Sequence, residues 1–178
     1  IAEVRRFLWK SRSFRHLAAG AALNAFTAYS IITWAPAFLI RSHGMSTAEA
    51  GAWLALVIGV VGAVGNTLGG VLGDRWARHE IRSRVWLPGL AIASGFPLAL
   101  VVYTTPNRSL ALLALGASMF LGMMCQAPIF AATQFLAPPR MRATASAVLL
   151  FATNIVGLGL GPAATGALSD ALAPHYGA

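Results

Sequence analysis

Five stretches of this sequence contain no Asp, Glu, Lys or Arg: residues 16–40, 50–73, 85–107, 109–139 and 143–169. An α-helix rises about 1.5 Å per residue, so about 20 residues cross the roughly 30 Å of a bilayer's hydrocarbon core. Every stretch is that long. A chain with five such runs cannot cover a water-soluble surface. Only 10% of its 178 residues are charged, against about 25% in ordinary soluble domains. The sequence therefore predicts an all-α membrane protein with five transmembrane helices, near residues 17–40, 47–72, 86–104, 110–136 and 144–168. Residues 1–15 are expected to form a cytoplasmic amphipathic linker, and 16–178 a transmembrane bundle.

The ends of the spans carry helix punctuation. Gly44 follows the first as a C-terminal cap. Ser46 and Glu49, three apart, predict a capping box at the start of the second, which makes Glu49 a cap and not a substrate carboxylate. Pro106 and the pair Pro138-Pro139 follow the third and fourth. Pro36, Pro128 and Pro162 lie inside spans and predict bends there.

Charge at the flanks gives orientation. Eleven of the thirteen basic residues fall on one side: Arg5, Arg6, Lys10, Arg12 and Arg15; Arg75, Arg78, Arg82 and Arg84; Arg140 and Arg142. Only Arg41 and Arg108 face the other. The positive-inside rule puts the larger set, and the N-terminus, in the cytoplasm, with the C-terminus outside. The net charge of +8 does not point to nucleic acid, because the basic residues sit at span ends and form no single stripe. Residues 1–15 interleave Val4, Phe7, Leu8 and Phe14 with five positive charges. That suits either a helix on an anionic leaflet or a linker from earlier spans. The chain opens at Ile1 with no Met and no signal peptide, and is expected to be a piece of a longer protein.

The spans are not uniformly apolar. The second has glycines at 59, 62, 65, 69 and 73, on one narrow face, the pattern of close helix packing in lipid. The first sets Asn24, Thr27, Ile31, Trp34 and Phe38 on one face; the fourth sets Ser118, Gly122, Gln126, Phe130 and Thr133 on another; the fifth carries Asn154, Gly157, Gly161 and Thr165. Faces of amides, hydroxyls and aromatics serve either a cavity for an amphipathic ligand or hydrogen bonds between helices. On the first reading Asn24, Thr27, Trp34, Phe38, Gln126, Phe130 and Asn154 line a substrate cavity. The third span has Ser94 as its one central polar residue, which places it at the lipid-facing periphery.

Apart from Glu49 in the capping box that opens the second span, no acid, Lys, Arg or His lies inside a span. The four histidines have no ligand spacing, and the one cysteine, Cys125, is read as a small core residue. No catalytic set, metal motif or cofactor loop is present in the sequence, so an enzyme is not expected.

Charge is concentrated between the second and third spans. There Gly70-Val71-Leu72-Gly73-Asp74-Arg75-Trp76-Ala77-Arg78 resembles the G-x-L-A-D-R-x-G-R signature of the major facilitator superfamily, with Ala77 at the usual Gly. The run 14–75 is similar to the seventh and eighth helices of Spinster-like members, and 140–170 to their eleventh. The resemblance implies that the five spans are helices seven to eleven of a twelve-helix fold, with seven, eight, ten and eleven around the cavity and nine outside. Gly70-Val71-Leu72-Gly73-Asp74 is echoed by Gly166-Ala167-Leu168-Ser169-Asp170 at the opposite end of a span, as inverted repeats would place it. It further implies alternating access, a lipid-like or amphipathic substrate, and the missing N-terminal half as partner. The resemblance also implies a bacterial inner membrane as the setting. Gly70, Asp74, Arg75, Arg78 and Arg142 would form a cytoplasmic gate, in which Asp74 meets a helix N-terminus of the other half. Alternatively Asp74 caps a loop and the arginines only hold topology. A membrane-embedded lipid-modifying enzyme, or a non-transporting membrane protein, is the alternative; upstream sequence with six more spans distinguishes them.

Overall fold

The computed structural model describes residues 9–78 and 83–176, with side chains from 9 to 78 and from 86 to 174. Val4, Arg5, Arg6, Phe7, Leu8, His79 and Arg82 lie outside the described residues, as does the side chain of Arg84. Five helices are long and apolar enough to cross a membrane. We name them α1 (Arg12–His43), α2 (Thr47–Ala77), α3 (Ser83–Thr104), α4 (Arg108–Leu136) and α5 (142–176).

The first helix begins earlier than expected. Ser11 accepts the Phe14 amide on its Oγ at 3.3 Å, which caps a helix starting at Arg12. Arg12 to Arg15 therefore lie within the helix α1. At its other end Gly44 takes φ +63° and the Met45 amide donates to the Leu39 carbonyl at 3.3 Å. A side chain at that φ would be strained, which is why glycine ends the helix.

The capping box at α2 is complete. The Ser46 amide donates to Glu49 Oε2 at 2.8 Å, and the Glu49 amide donates to Ser46 Oγ at 3.2 Å. Glu49 also pairs through Oε1 with Arg108 Nη2 at 3.0 Å, which fastens the start of α4 to the start of α2. Sequence spacing gave no sign of this contact, because the partners lie 59 residues apart.

Three helices are interrupted or loosened at mid-span. α2 passes through a π-helical segment, Val57–Val61, without any proline. α4 breaks at Cys125, between Arg108–Met124 and Gln126–Leu136. Pro128 has no amide to offer the Met124 carbonyl four residues back, and the break falls there. α5 holds a π segment, Asn154–Leu160, immediately before Pro162. Pro36 sits within a continuous α1, and α3 contains Pro88 and Pro97.

Two compact units divide at Pro36 and Pro139. In the first, α5 packs on α1 through glycines. A Cβ at Gly157 would meet Ala25 Cβ at 2.8 Å, and one at Gly161 would meet the Phe26 carbonyl at 2.6 Å. In the second, α4 packs along both α2 and α3. Gly62, Gly65, Gly69 and Gly73 of α2 are buried against Met123, Phe120, Met124 and Pro128. Lipid tails are as apolar as leucine, so such contacts gain from close approach of backbones and not from burial out of water. Gly69 faces the carbonyl of Met124, the one that Pro128 leaves without its helical donor. Gly59 departs from the expected packing face, since nothing lies within 4 Å of the position of its Cβ. Within this unit α3 presents Trp86, Leu90, Ile92, Phe96 and Leu100 outward.

Candidate functional site

An open groove of about 490 Å³ runs between α2 and α4. Ile58, Gly59, Gly62, Ala63 and Asn66 line it from α2; Met123, Gln126, Ala127 and Phe130 line it from α4. Its origin is local. Gly59 and Ala63 put little or nothing into the space, and the π segment of α2 carries Ile58 and Gly59 to its rim. On α4 the break at Cys125 immediately precedes Gln126. Inserted turns of this kind recur at functional sites, because they re-aim side chains without ending the helix.

The lining contains no Lys, Arg, His, Asp or Glu. Its polarity comes from two carboxamides, Asn66 and Gln126, both exposed and both without a hydrogen-bond partner among the described residues. Each offers two donors and an acceptor. Met123 and Phe130 supply apolar surface beside them.

The expected cavity residues divide. Gln126 and Phe130 line the groove. Thr133, placed on their face by spacing, is 0% exposed and returns its hydroxyl to the Ile129 carbonyl at 2.9 Å. Trp34 and Asn154 make bonds between helices instead of standing free. The Trp34 Nε1–H donates to the Pro162 carbonyl at 3.1 Å, and the Tyr29 hydroxyl donates to Asn154 Oδ1 at 3.4 Å. Asn154 also donates through Nδ2 to the Leu150 carbonyl at 2.8 Å. These two bonds flank the π segment of α5. Phe38 is a packing residue, with its ring edge-on to Tyr103 at 5.2 Å and to His43 at 5.3 Å. Thr27 is exposed and donates to the Leu23 carbonyl within its own helix at 3.3 Å. Asn24 is half-buried, with no partner among the described residues.

Sequence reading passed over Asn66 and Tyr29. Asn66 could have been found, since it lies one step round the helix from the glycine face of α2. Tyr29 could not, because its role depends on how α5 lies along α1.

At the charged hinge, Gly70 is half-buried with its Cβ position 3.3 Å from Ala127. Asp74, Arg75 and Arg78 are exposed, as is Arg142 at the start of α5. The Asp74 carboxylate has no ion-pair or hydrogen-bond partner among the described residues. Nothing within the described chain occupies it.

Apolar helices of spanning length, packed through glycines and interrupted at mid-span beside an uncharged groove, define a polytopic α-helical integral membrane protein. The sequence matches the family model of the Major Facilitator Superfamily over residues 1–172, and the chain belongs to that family. It is 36% identical over 171 residues to an MFS-type efflux pump of Mycolicibacterium smegmatis, covering 96% of this chain and 40% of that protein. It is also 36% identical over 80 residues to the Escherichia coli protein named "Probable galactarate/D-glucarate transporter GudP", covering 45% of this chain and 17% of that one. Among solved structures, it resembles a bacterial homologue of the human lysosomal transporter Spinster. The inward-facing, unoccupied form superposes with a TM-score of 0.87 at 30% identity, over 96% of this chain and 36% of that chain. The inward-facing, occupied form gives 0.74 at 29% identity, over 93% of this chain and 34% of that chain. The chain thus spans about two fifths of the length of the efflux pump. The Spinster-like resemblance read from the hinge and the flanking helices holds.

Proposed function

We propose that this chain is helices seven to eleven of a secondary transporter that works by alternating access on a lipid-like or amphipathic small molecule. The observation that carries the reading is the α2–α4 groove, which is uncharged, partly apolar and furnished at mid-span with two carboxamides that have no partner among the described residues. A polar group in that position is costly unless it serves a ligand, water or another helix. Similarity to an efflux pump and to a homologue of a lysosomal transporter supports transport as the activity. The partial similarity to a sugar-acid transporter favours a second reading, a dicarboxylate substrate. The groove gives that reading little support, because it offers no cation to a carboxylate.

The bias of basic residues supports a cytoplasmic N-terminus and an external C-terminus, and the bacterial origin of both curated relatives supports residence in a bacterial inner membrane. Asp74, with Gly70, Arg75, Arg78 and Arg142, is assigned to a cytoplasmic gate with the other half of the protein. Its open carboxylate at the end of α2 is the supporting feature. Such an acid gains about 0.3–1 kcal/mol beside a helix N-terminus, up to ~2 when partly buried. Contacts of that size bias two access states without locking either.

The test is uptake by the full-length protein in proteoliposomes, with and without a pH gradient, using a fluorescent alkyl glycoside and a labelled sugar acid. Movement of the alkyl glycoside above protein-free liposomes is expected. Movement of the sugar acid alone would overturn the substrate class, and movement of neither would overturn the transport reading.

A further inference from the structure

Resting on the reading of the groove as substrate surface, we propose that Asn66 and Gln126 act as a selectivity pair for an uncharged hydrogen-bonding group. They would accept a hydroxyl, amide or sugar-like head joined to an apolar body, and disfavour ionised heads at this position.

The argument is one of charge and satisfaction. A carboxamide donates and accepts, so it matches a neutral group that does both, and it cannot neutralise an ion. An ionised group entering the groove would lose part of its hydration and meet no opposite charge among the described lining residues, a costly exchange. A neutral hydroxylated group loses less and recovers it through the two amides. A site built to hydrogen-bond discriminates strongly, because its own polar groups are left unpaired by the wrong ligand. Gly59 and Ala63 leave room for the head, and Met123 and Phe130 give its apolar body a surface. The two amides lie on different helices, so a ligand that bonds to both must also fit between α2 and α4.

The experiment uses the full-length protein in phosphatidylcholine nanodiscs with three tritiated probes sharing one tail: octyl glucoside, octyl phosphate and octyltrimethylammonium. Binding is read against empty nanodiscs. The wild type is expected to hold the glucoside about tenfold more tightly than either ion. Asn66→Leu and Gln126→Leu leave a branched apolar side chain of similar reach and remove the amide. Each should weaken the glucoside about 3–10-fold and leave the ions unchanged, the loss expected for one hydrogen bond. Asn66→Asp should move the preference to the ammonium. Asn66→Ser, smaller and still able to hydrogen-bond, should keep part of the glucoside preference and serves if a leucine variant does not fold. Equal binding of all three probes by the wild type, or a glucoside affinity unmoved in both leucine variants, overturns the pair. Ala63→Cys capped with a bulky maleimide separates the two layers of the argument. If capping leaves all binding unchanged, the groove is not the substrate surface and both readings fall. If capping blocks binding while the leucine variants behave as wild type, only the selectivity pair falls.

Discussion

Gly69→Ala adds one methyl at the tightest approach in the second unit. The new carbon would land on the Met124 carbonyl oxygen, with the Met124 carbonyl carbon and Cα each at 2.7 Å. Optimal separation is about 3.5–4.0 Å, so α2 and α4 must part by roughly 1 Å. The obstacle is backbone, which cannot rotate away as a side chain would. Overpacking of this kind costs about 1–3 kcal/mol, and a backbone clash belongs at the upper end. Alanine returns about 1 kcal/mol of helix propensity, leaving a net loss of about 2 kcal/mol. The separation also weakens the neighbouring contacts of Gly65 with Phe120 and of Gly73 with Pro128. Gly51→Ala is the matched control, on the same helix with nothing within 4 Å of its Cβ position. It should gain about 0.4–1 kcal/mol. Thermal unfolding of the full-length protein in nanodiscs, followed by tryptophan fluorescence, reads the difference. At about 2–4 °C per kcal/mol for a cooperative unit of this size, Gly69→Ala should lower the midpoint by about 4–8 °C. Gly51→Ala should leave it unchanged or higher. Equal midpoints for the two variants would refute the argument that α2 and α4 meet backbone to backbone.

Glu49→Gln keeps the capping box and removes the ion pair with Arg108, so most transport should survive; a rate near zero with normal membrane insertion would give Glu49 a role beyond capping. Trp34→Phe deletes the donor to Pro162 and should cost about 0.5–1.5 kcal/mol of stability; no change in the unfolding midpoint would mean the indole bond is not formed. Asp74→Asn should insert normally, slow turnover and raise accessibility from the cytoplasmic side; unchanged transport together with unchanged accessibility would reduce the hinge to a topology signal. Asn66→Cys and Gln126→Cys should react with a membrane-impermeant thiol reagent in at least one state and Thr133→Cys should not, with buried Cys125 contributing little background; labelling of Thr133→Cys alone would show that the rotation of α4 is wrong.

Much of this protein is dictated along the chain. The five charge-free runs fix the helices, because a backbone in lipid must satisfy its own hydrogen bonds and a single helix does so locally. The capping box and the Gly44 cap are local for the same reason: every partner lies within a few residues. The hinge signature is local too, which is why the family could be read from nine residues. Helix rotation and partner choice are not local. Pro128 marked a bend in α4, which breaks at Cys125 where the Met124 carbonyl loses its donor, but the pattern that put Gln126 and Thr133 on one face could not foresee that Thr133 would be buried. The face of α1 that was open to a cavity reading instead met α5, where Pro162 and Asn154 take up Trp34 and Tyr29. Gly59 and Gly69 look alike in sequence, yet one lines a groove and the other touches backbone. The sequence by itself determined which segments cross the membrane and how they end. Only tertiary structure decided which polar groups join helices and which stay open to a ligand, because an amide is satisfied equally well by either and the choice depends on what packs against it.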